Sequence, residues 1–231
     1  MKKSNSTVFI KKLIFFFCGL WIIQTGVAIF IRTNIGSDPF TVLTQGISRT
    51  LGITTGTANI TITFVFLITI LIVDRKTINI GTVLALVSAG PFIDLMLAVL
   101  QPIEFSEFNI MVKMLLLALS CVIVAIGFAM LKATDLGVAP NDLIPLIIHE
   151  KTNLTYQWIR ISMDSIFVVV GFMLGGVIGV GTIIGAFLTG PAIQFFMPKL
   201  EKIIKPMIYK ENYKEEFEEE IAQDCLNSIN Y

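Results

Sequence analysis

The sequence predicts an all-α polytopic membrane protein, and three observations carry that prediction. Six apolar runs are each long enough to cross a bilayer. Only 15% of residues are charged, against 55% hydrophobic, with a mean hydropathy of +0.81. Three short motifs recur in the same order in the two halves of the chain. Soluble domains carry about a quarter charged residues, because their helices need a polar face. The net charge of zero excludes nothing structural, but it gives no footprint for a nucleic-acid partner.

A hydrocarbon core of about 30 Å takes about 20 apolar residues per helix. The runs at roughly 13–32, 55–73, 80–100, 111–131, 158–177 and 180–197 meet that length. The stretches 38–51 and 140–150 are amphipathic and short for a crossing, so they read as broken or re-entrant helices. The first run follows Lys2, Lys3, Lys11 and Lys12, in the manner of a signal peptide. It is longer than a usual signal core and has no small-x-small cleavage site, so it reads as an uncleaved helix. A polar tail follows Pro198, dense in charge from Lys210 to Glu220 and predicted helical there. The chain therefore divides into a cytoplasmic N-terminus (1–12), a first membrane repeat (13–100), a second (111–197) and a charged cytoplasmic tail (198–231).

Loop charge sets the expected orientation. With six spans and the N-terminus inside, Arg75 and Lys76, then Lys132 and Lys151, then Lys199, Lys202 and Lys205 all fall in the cytoplasm. The outer loop from Gln101 to Ile110 has no Lys or Arg. Arg32 and Arg49 are the exceptions. An eight-span arrangement, in which the short stretches also cross, puts Arg75 and Lys76 outside. Charge favours six spans, and both arrangements leave both termini in the cytoplasm.

Ile35-Gly36-Ser37-Asp38-Pro39 recurs as Leu136-Gly137-Val138-Ala139-Pro140. Ile80-Gly81-Thr82 recurs as Val180-Gly181-Thr182, and Gly90-Pro91-Phe92-Ile93 as Gly190-Pro191-Ala192-Ile193. Three matches in order, nearly in register, point to duplication. With three full spans per copy the second copy enters from the opposite face, an inverted repeat of the kind many secondary transporters use. With four crossings per copy, the copies are parallel.

The candidate site residues lie at the breaks and among the few charges inside the runs. Gly36 permits a bend, Asp38 caps the short helix, and Pro39 suits its first position. In the second copy Gly137 and Pro140 repeat the pattern, while Asn141 and Asp142 supply polar capacity. One reading is helix punctuation at a membrane interface. The other is a pair of helix N-termini facing a solute. Arg160 and Asp164 are spaced to pair one turn apart; Asn59 is the repeat mate of Arg160, and Asp94 has Gln194 as its mate. Ionisable groups within membrane runs are costly, so Asp94, Arg160 and Asp164 are expected to line a cavity. A solvated interfacial ion pair is the competing reading for the last two. Proton coupling through the carboxylates is the expected energy source if solute moves. The Gly-Pro and Gly-Thr pairs read first as kinks and close helix packing.

The three cysteines have no metal-like or redox-like spacing, and His149 has no second ligand nearby, so no metal and no cofactor is expected. No phosphate-binding lysine loop, nucleophile elbow or paired-carboxylate set is present, and enzyme activity is not expected.

These motifs resemble the YczE/YyaS/YitT family of bacterial integral membrane proteins, nearest its YczE-like branch. The resemblance rests on Gly36-Ser37-Asp38-Pro39, Gly81-Thr82, Gly90-Pro91-Phe92-Ile93-Asp94, Gly137-Val138-Ala139-Pro140-Asn141-Asp142, Arg160, Asp164 and Gly181-Thr182 through Gly190-Pro191. It covers about residues 10–198 and leaves out the acidic tail. It implies a plasma-membrane protein, sometimes grouped with small-molecule exporters, and brings no established substrate. Ala139 stands where the first copy has Asp38, so the two breaks are not chemically equivalent. The expected function is transport of an unidentified small solute across the lipid bilayer, with export the direction the resemblance implies. The alternative is a non-transporting protein that stabilises or regulates a partner, or another copy of itself, through its tail.

Overall fold

The computed structural model describes residues 2–152, 154 and 156–209. Among them are eight α-helices and no strand: α1 (Lys2–Thr33), α2 (Pro39–Leu51), α3 (Thr55–Asp74), α4 (Ile80–Val99), α5 (Ile110–Lys132), α6 (Pro140–Thr152), α7 (Tyr156–Met173) and α8 (Val180–Tyr209). Five of them (within α1, α3, α4, α5 and α8) are long and apolar enough to cross a membrane. Their outward faces carry large apolar side chains such as Ile72, Leu115 and Phe187, which a bilayer solvates and water does not. The sixth expected span, α7, is shorter, and its first half holds Arg160 and Asp164.

α1 and α5 cross at the centre in antiparallel orientation. A Cβ on Gly19 would lie 2.8 Å from the Gly127 carbonyl oxygen, and one on Gly127 would lie 2.7 Å from that of Gly19. Such approaches let dispersion act between backbones where no hydrophobic force drives helices together. Further along, Gly26 meets Ser120. Arg32, at the end of α1, donates to the carbonyls of Leu100, Gln101 and Ile103, so α1 and α4 end at one face. Arg49 likewise donates to the Gly175 carbonyl just past α7. These two arginines, the exceptions to the charge rule, neutralise the negative ends of helices.

The two breaks have the same backbone. Asn34 and Asp135 have φ of 54° and 53°, and Gly36 and Gly137 both have φ of 115°. Each break is bonded to the other half of the chain. The Gly181 amide donates to the Ile35 carbonyl, and the Gly81 amide to the Leu136 carbonyl, both at 2.9 Å. A side chain at Gly36 would strike the Thr182 amide at 2.6 Å, and one at Gly137 the Asn79 Cβ at 2.9 Å. Gly36→Ala and Gly137→Ala should therefore each cost about 1–3 kcal/mol from backbone strain alone. Lowered Tm in detergent, with Gly190→Ala unchanged, would show it. Gly190 is the suitable control because a Cβ there meets nothing within 4 Å, whereas one at Gly26 falls 2.6 Å from Val124.

The short helices α2 and α6 pack alongside parts of α3 and α7. Phe40, at the start of α2, packs on Phe66 and Phe167, which lie mid-way along α3 and α7. α2 then runs outward to Gly52, whose left-handed φ of 65° ends it. α6 ends at the other face, where Lys151 donates to the Val73 carbonyl near the end of α3.

The boundary expected at Pro198 is corrected. α8 passes through Pro198 and Pro206 to Tyr209. Packing holds it: Ile204 and Ile208 are buried with Ala133 against Val8, Phe15 and Met130. The Tyr209 hydroxyl donates to Asp135 at 2.8 Å, Lys11 donates to the Met207 carbonyl, and Lys12 sits over the Tyr209 ring. The predicted tail helix, Lys210 to Glu220, lies outside the described residues.

Candidate functional site: a central cavity between the two breaks

A cavity of about 590 Å³ is lined by the starts of the two short helices, α2 and α6, among others. That is the size of a pocket for a small organic molecule. The walls from α1, α4, α5 and α8 are mostly apolar, with Gln24, Lys132, Thr189 and Gln194 among them, and the carboxylates and Arg160 gather on the side formed by α2, α3, α6 and α7.

On the first break, Asp38 caps α2. Its carboxylate accepts from the Thr41 amide at 3.1 Å and from the Thr41 hydroxyl. Pro39 begins the helix where an N–H would have had no partner. On the second break Ala139 has no side-chain oxygen to offer. Asp142, the mate of Thr41, turns its carboxylate to Arg160 instead, at 3.0 Å from Nη1. Arg160 Nε also lies 3.3 Å from Asp164 Oδ2, the one-turn pair expected from sequence. One guanidinium thus bridges carboxylates on α6 and α7, a role its planar fork suits better than an ammonium would.

Asp38, Pro39, Asn59, Asn141, Asp142, Arg160 and Asp164 all line the cavity. The structure so brings together most of the residues singled out in sequence. Gly36, Gly137 and Pro140 do not line it; they shape the breaks behind it, with Pro140 fully buried. Asp94 is a correction. It is absent from the lining and instead joins α4 to the start of α3, accepting from the Thr54 hydroxyl at 2.6 Å and the Gly56 amide at 2.8 Å. Proximity to an N-terminal turn with free donors captured this carboxylate.

Sequence reasoning missed Thr41 and Thr63, mates of Asp142 and Asp164, and also Gln24 and Lys132. The offset of the first break pair, carried onward to α3 and α7, would have found the two threonines. Asn59 holds one further feature. It is 8% exposed, and its Oδ1 has no hydrogen-bond partner.

Positions 100 residues apart contribute unequally to the lining. α4 contributes Ala85, Leu86 and Ala89; α8 contributes their mates Gly185, Ala186 and Thr189, then continues through Gly190, Ile193, Gln194 and Met197. The difference follows from packing. α3 closes on α4 so tightly that a Cβ on Gly56 would lie 2.2 Å from the Gly90 carbonyl oxygen. The equivalent pair, α7 and α8, has no such contact at Gly190, and the gap is part of the cavity.

Residues 10–198 match the profile of a family of unknown function, DUF6198. The chain belongs to that family. Relatives include the uncharacterized protein YyaS of Bacillus subtilis, 28% identical over 192 residues, which is 83% of this chain and 94% of that protein. The uncharacterized membrane protein YczE of the same organism is 30% identical over 186 residues, 80% of this chain and 85% of that protein. An uncharacterized protein of Haemophilus influenzae is 26% identical over 181 residues, 77% and 79% of the two chains. The YczE/YyaS resemblance read from the motifs is thus shown, and with it a membrane protein. No solved structure matches the chain.

Proposed function

We propose that this chain is a secondary transporter of a small solute, built from two inverted units that share the central cavity. The observation that carries the reading is the asymmetry of two equivalent gates around one cavity. α3 and α4 are sealed at one face, and α7 and α8 stand apart toward the other. Exchanging the conformations of the two units would open the first gate and close the second. Inverted-repeat transporters reach alternating access in this way. The antiparallel crossing of α1 and α5 and the reciprocal bonds of Gly81 and Gly181 support the inverted relation.

Orientation is part of the proposal. With both termini cytoplasmic in a bacterial plasma membrane, the structure is open inward. Cysteines at Thr77 and Ser106, in a background without native cysteines, should label from opposite sides, with Ser106 extracellular. Labelling of Thr77 from outside would reverse the orientation. Substrate-dependent counterflow in proteoliposomes tests the function itself: a saturable flux that is absent from protein-free vesicles is expected. A barrier that no member of a broad solute panel crosses would contradict it.

The adaptor reading rests on the tail. Because α8 packs to Tyr209, the informative truncation removes only residues 210–231. Transport should survive that truncation, with flux within about twofold of the full chain, as for a change outside the packed core. An adaptor docked through the tail would lose its partner.

A further inference from the structure

We infer that the cavity solute is an organic amine, with an apolar body and a protonated nitrogen placed between Asp38 and Asn59. This deepens the transporter reading and rests on its solute cavity, though not on net flux.

The argument is a count of donors and acceptors in the two halves of the polar wall. The second half is internally balanced. Arg160 is held by both Asp142 and Asp164, through Nη1 and Nε, so those carboxylates have a cation. The first half is not balanced. Asp38 receives only neutral hydrogen-bond donors, from Thr41, and among the described residues no ion pair includes it; the Arg160 charge, already shared by two carboxylates, acts on it only through space. Nor does any Lys or Arg from α2 or α3 line the cavity. The other lining cation, Lys132, is an exposed side chain on the last turn of α5.

Asn59 is the second, independent sign. More than nine-tenths buried, it belongs to the wall of the same cavity, and its Oδ1 is a buried acceptor with no partner. A buried unsatisfied acceptor costs free energy and is uncommon in native structures. Thr63, one turn on, cannot relieve it, because its hydroxyl donates back to the Asn59 carbonyl. A ligand that supplies two N–H donors would pair with Asp38 and, once the Asn59 side chain turns toward the cavity, with its oxygen as well. An ammonium does so and also gives Asp38 a counter-charge, which a low-dielectric site rewards. A carboxylate or phosphate would instead add acceptors to a wall already rich in them. The rest of the ligand meets Ile23, Val27, Phe128 and Ile193, which favour an alkyl or aryl body.

The test uses full-length protein in detergent and three probes with one apolar body: phenylbutylamine, phenylbutanol and phenylbutyrate. Calorimetric binding should rank the amine first and the carboxylate last. Asp38→Asn should weaken the amine roughly 10- to 100-fold, the weight of a charge-assisted hydrogen bond. It should leave the alcohol nearly unchanged. The variant is informative because Asn caps a helix as well as Asp does, so the fold should keep its Tm. Asn59→Asp should tighten the amine, and Asn59→Leu should weaken it. Tightest binding by phenylbutyrate, no amine binding, or amine affinity unaffected by Asp38→Asn would each overturn the inference. Amine binding without flux in proteoliposomes would retain this inference and remove the transport reading. Flux of an anion in place of the amine would do the reverse.

Discussion

Arg160→Ala is expected to bring flux to background while the protein still reaches the membrane in normal amount. Arg160 is the only cation bonded to Asp142 and Asp164 among the ion pairs of the described residues. Its removal leaves two carboxylates facing the same cavity from α6 and α7. Carboxylates in a membrane interior are costly without a partner, so the pair would rearrange or take up a proton. Either outcome changes how α6 meets α7 and empties one side of the polar wall. A solvated surface pair would behave differently, because its loss costs only about 0–1 kcal/mol. Asp164→Asn should also abolish flux, since it leaves the guanidinium with one carboxylate instead of two. Membrane level by quantitative blotting and flux in the same vesicles separate transport from folding. Normal flux in both variants would return the cluster to a structural role.

The second large effect concerns the two gates of the proposed transport cycle. Ile60 lies against Gly90 where α3 closes on α4, and its equivalents across the repeat are Ile161 and Gly190. Cysteines at Ile161 and Gly190, in a background without Cys18, Cys121 and Cys225, should cross-link only when α7 closes on α8. Cross-linking is expected to stop flux, and a reductant to restore it. Asp94 belongs to this argument rather than to the cavity. Its bonds to Thr54 and Gly56 seal the opposite gate, so Asp94→Ala should favour opening there and raise the yield of the Ile161–Gly190 cross-link. Two charge-assisted hydrogen bonds of about 1.5–3 kcal/mol each would shift that equilibrium by tenfold or more. A cross-link that forms freely and leaves flux untouched would mean that the two helices do not gate.

Much of the architecture was legible because its causes are local. Apolar run length marked the long helices, and Gly-x-x-Pro marked both breaks, where φ of 115° admits only glycine without strain. Asp38 as a cap and Arg160 with Asp164 as a pair are interactions within four residues, which spacing along one chain reveals. What sequence did not reveal depends on contacts between distant segments. Asp142 pairs with Arg160 across two helices, so its capping role was the local guess and the ion pair the tertiary outcome. Asp94 was assigned to a cavity because it is a carboxylate in an apolar run, yet donors 38 and 40 residues away engage it. The end of α8 failed in the same way. Prolines and lysines after position 197 look like a solvated tail, and burial of Ile204 and Ile208 on α1 and α5 overrides them.

One measurement tests alternating access without a known solute. A single cysteine at Ala186, a cavity position on α8, can be labelled by a membrane-impermeant thiol reagent in right-side-out and in inverted vesicles. The account predicts reaction from both sides, at unequal rates. Reaction from the side of the α7–α8 gap should be lost when Ile161 and Gly190 are cross-linked by cysteines, while reaction from the other side persists. Labelling from one side only, in every variant and whichever gate is locked, would contradict a transporter and leave a cavity that opens to a single compartment.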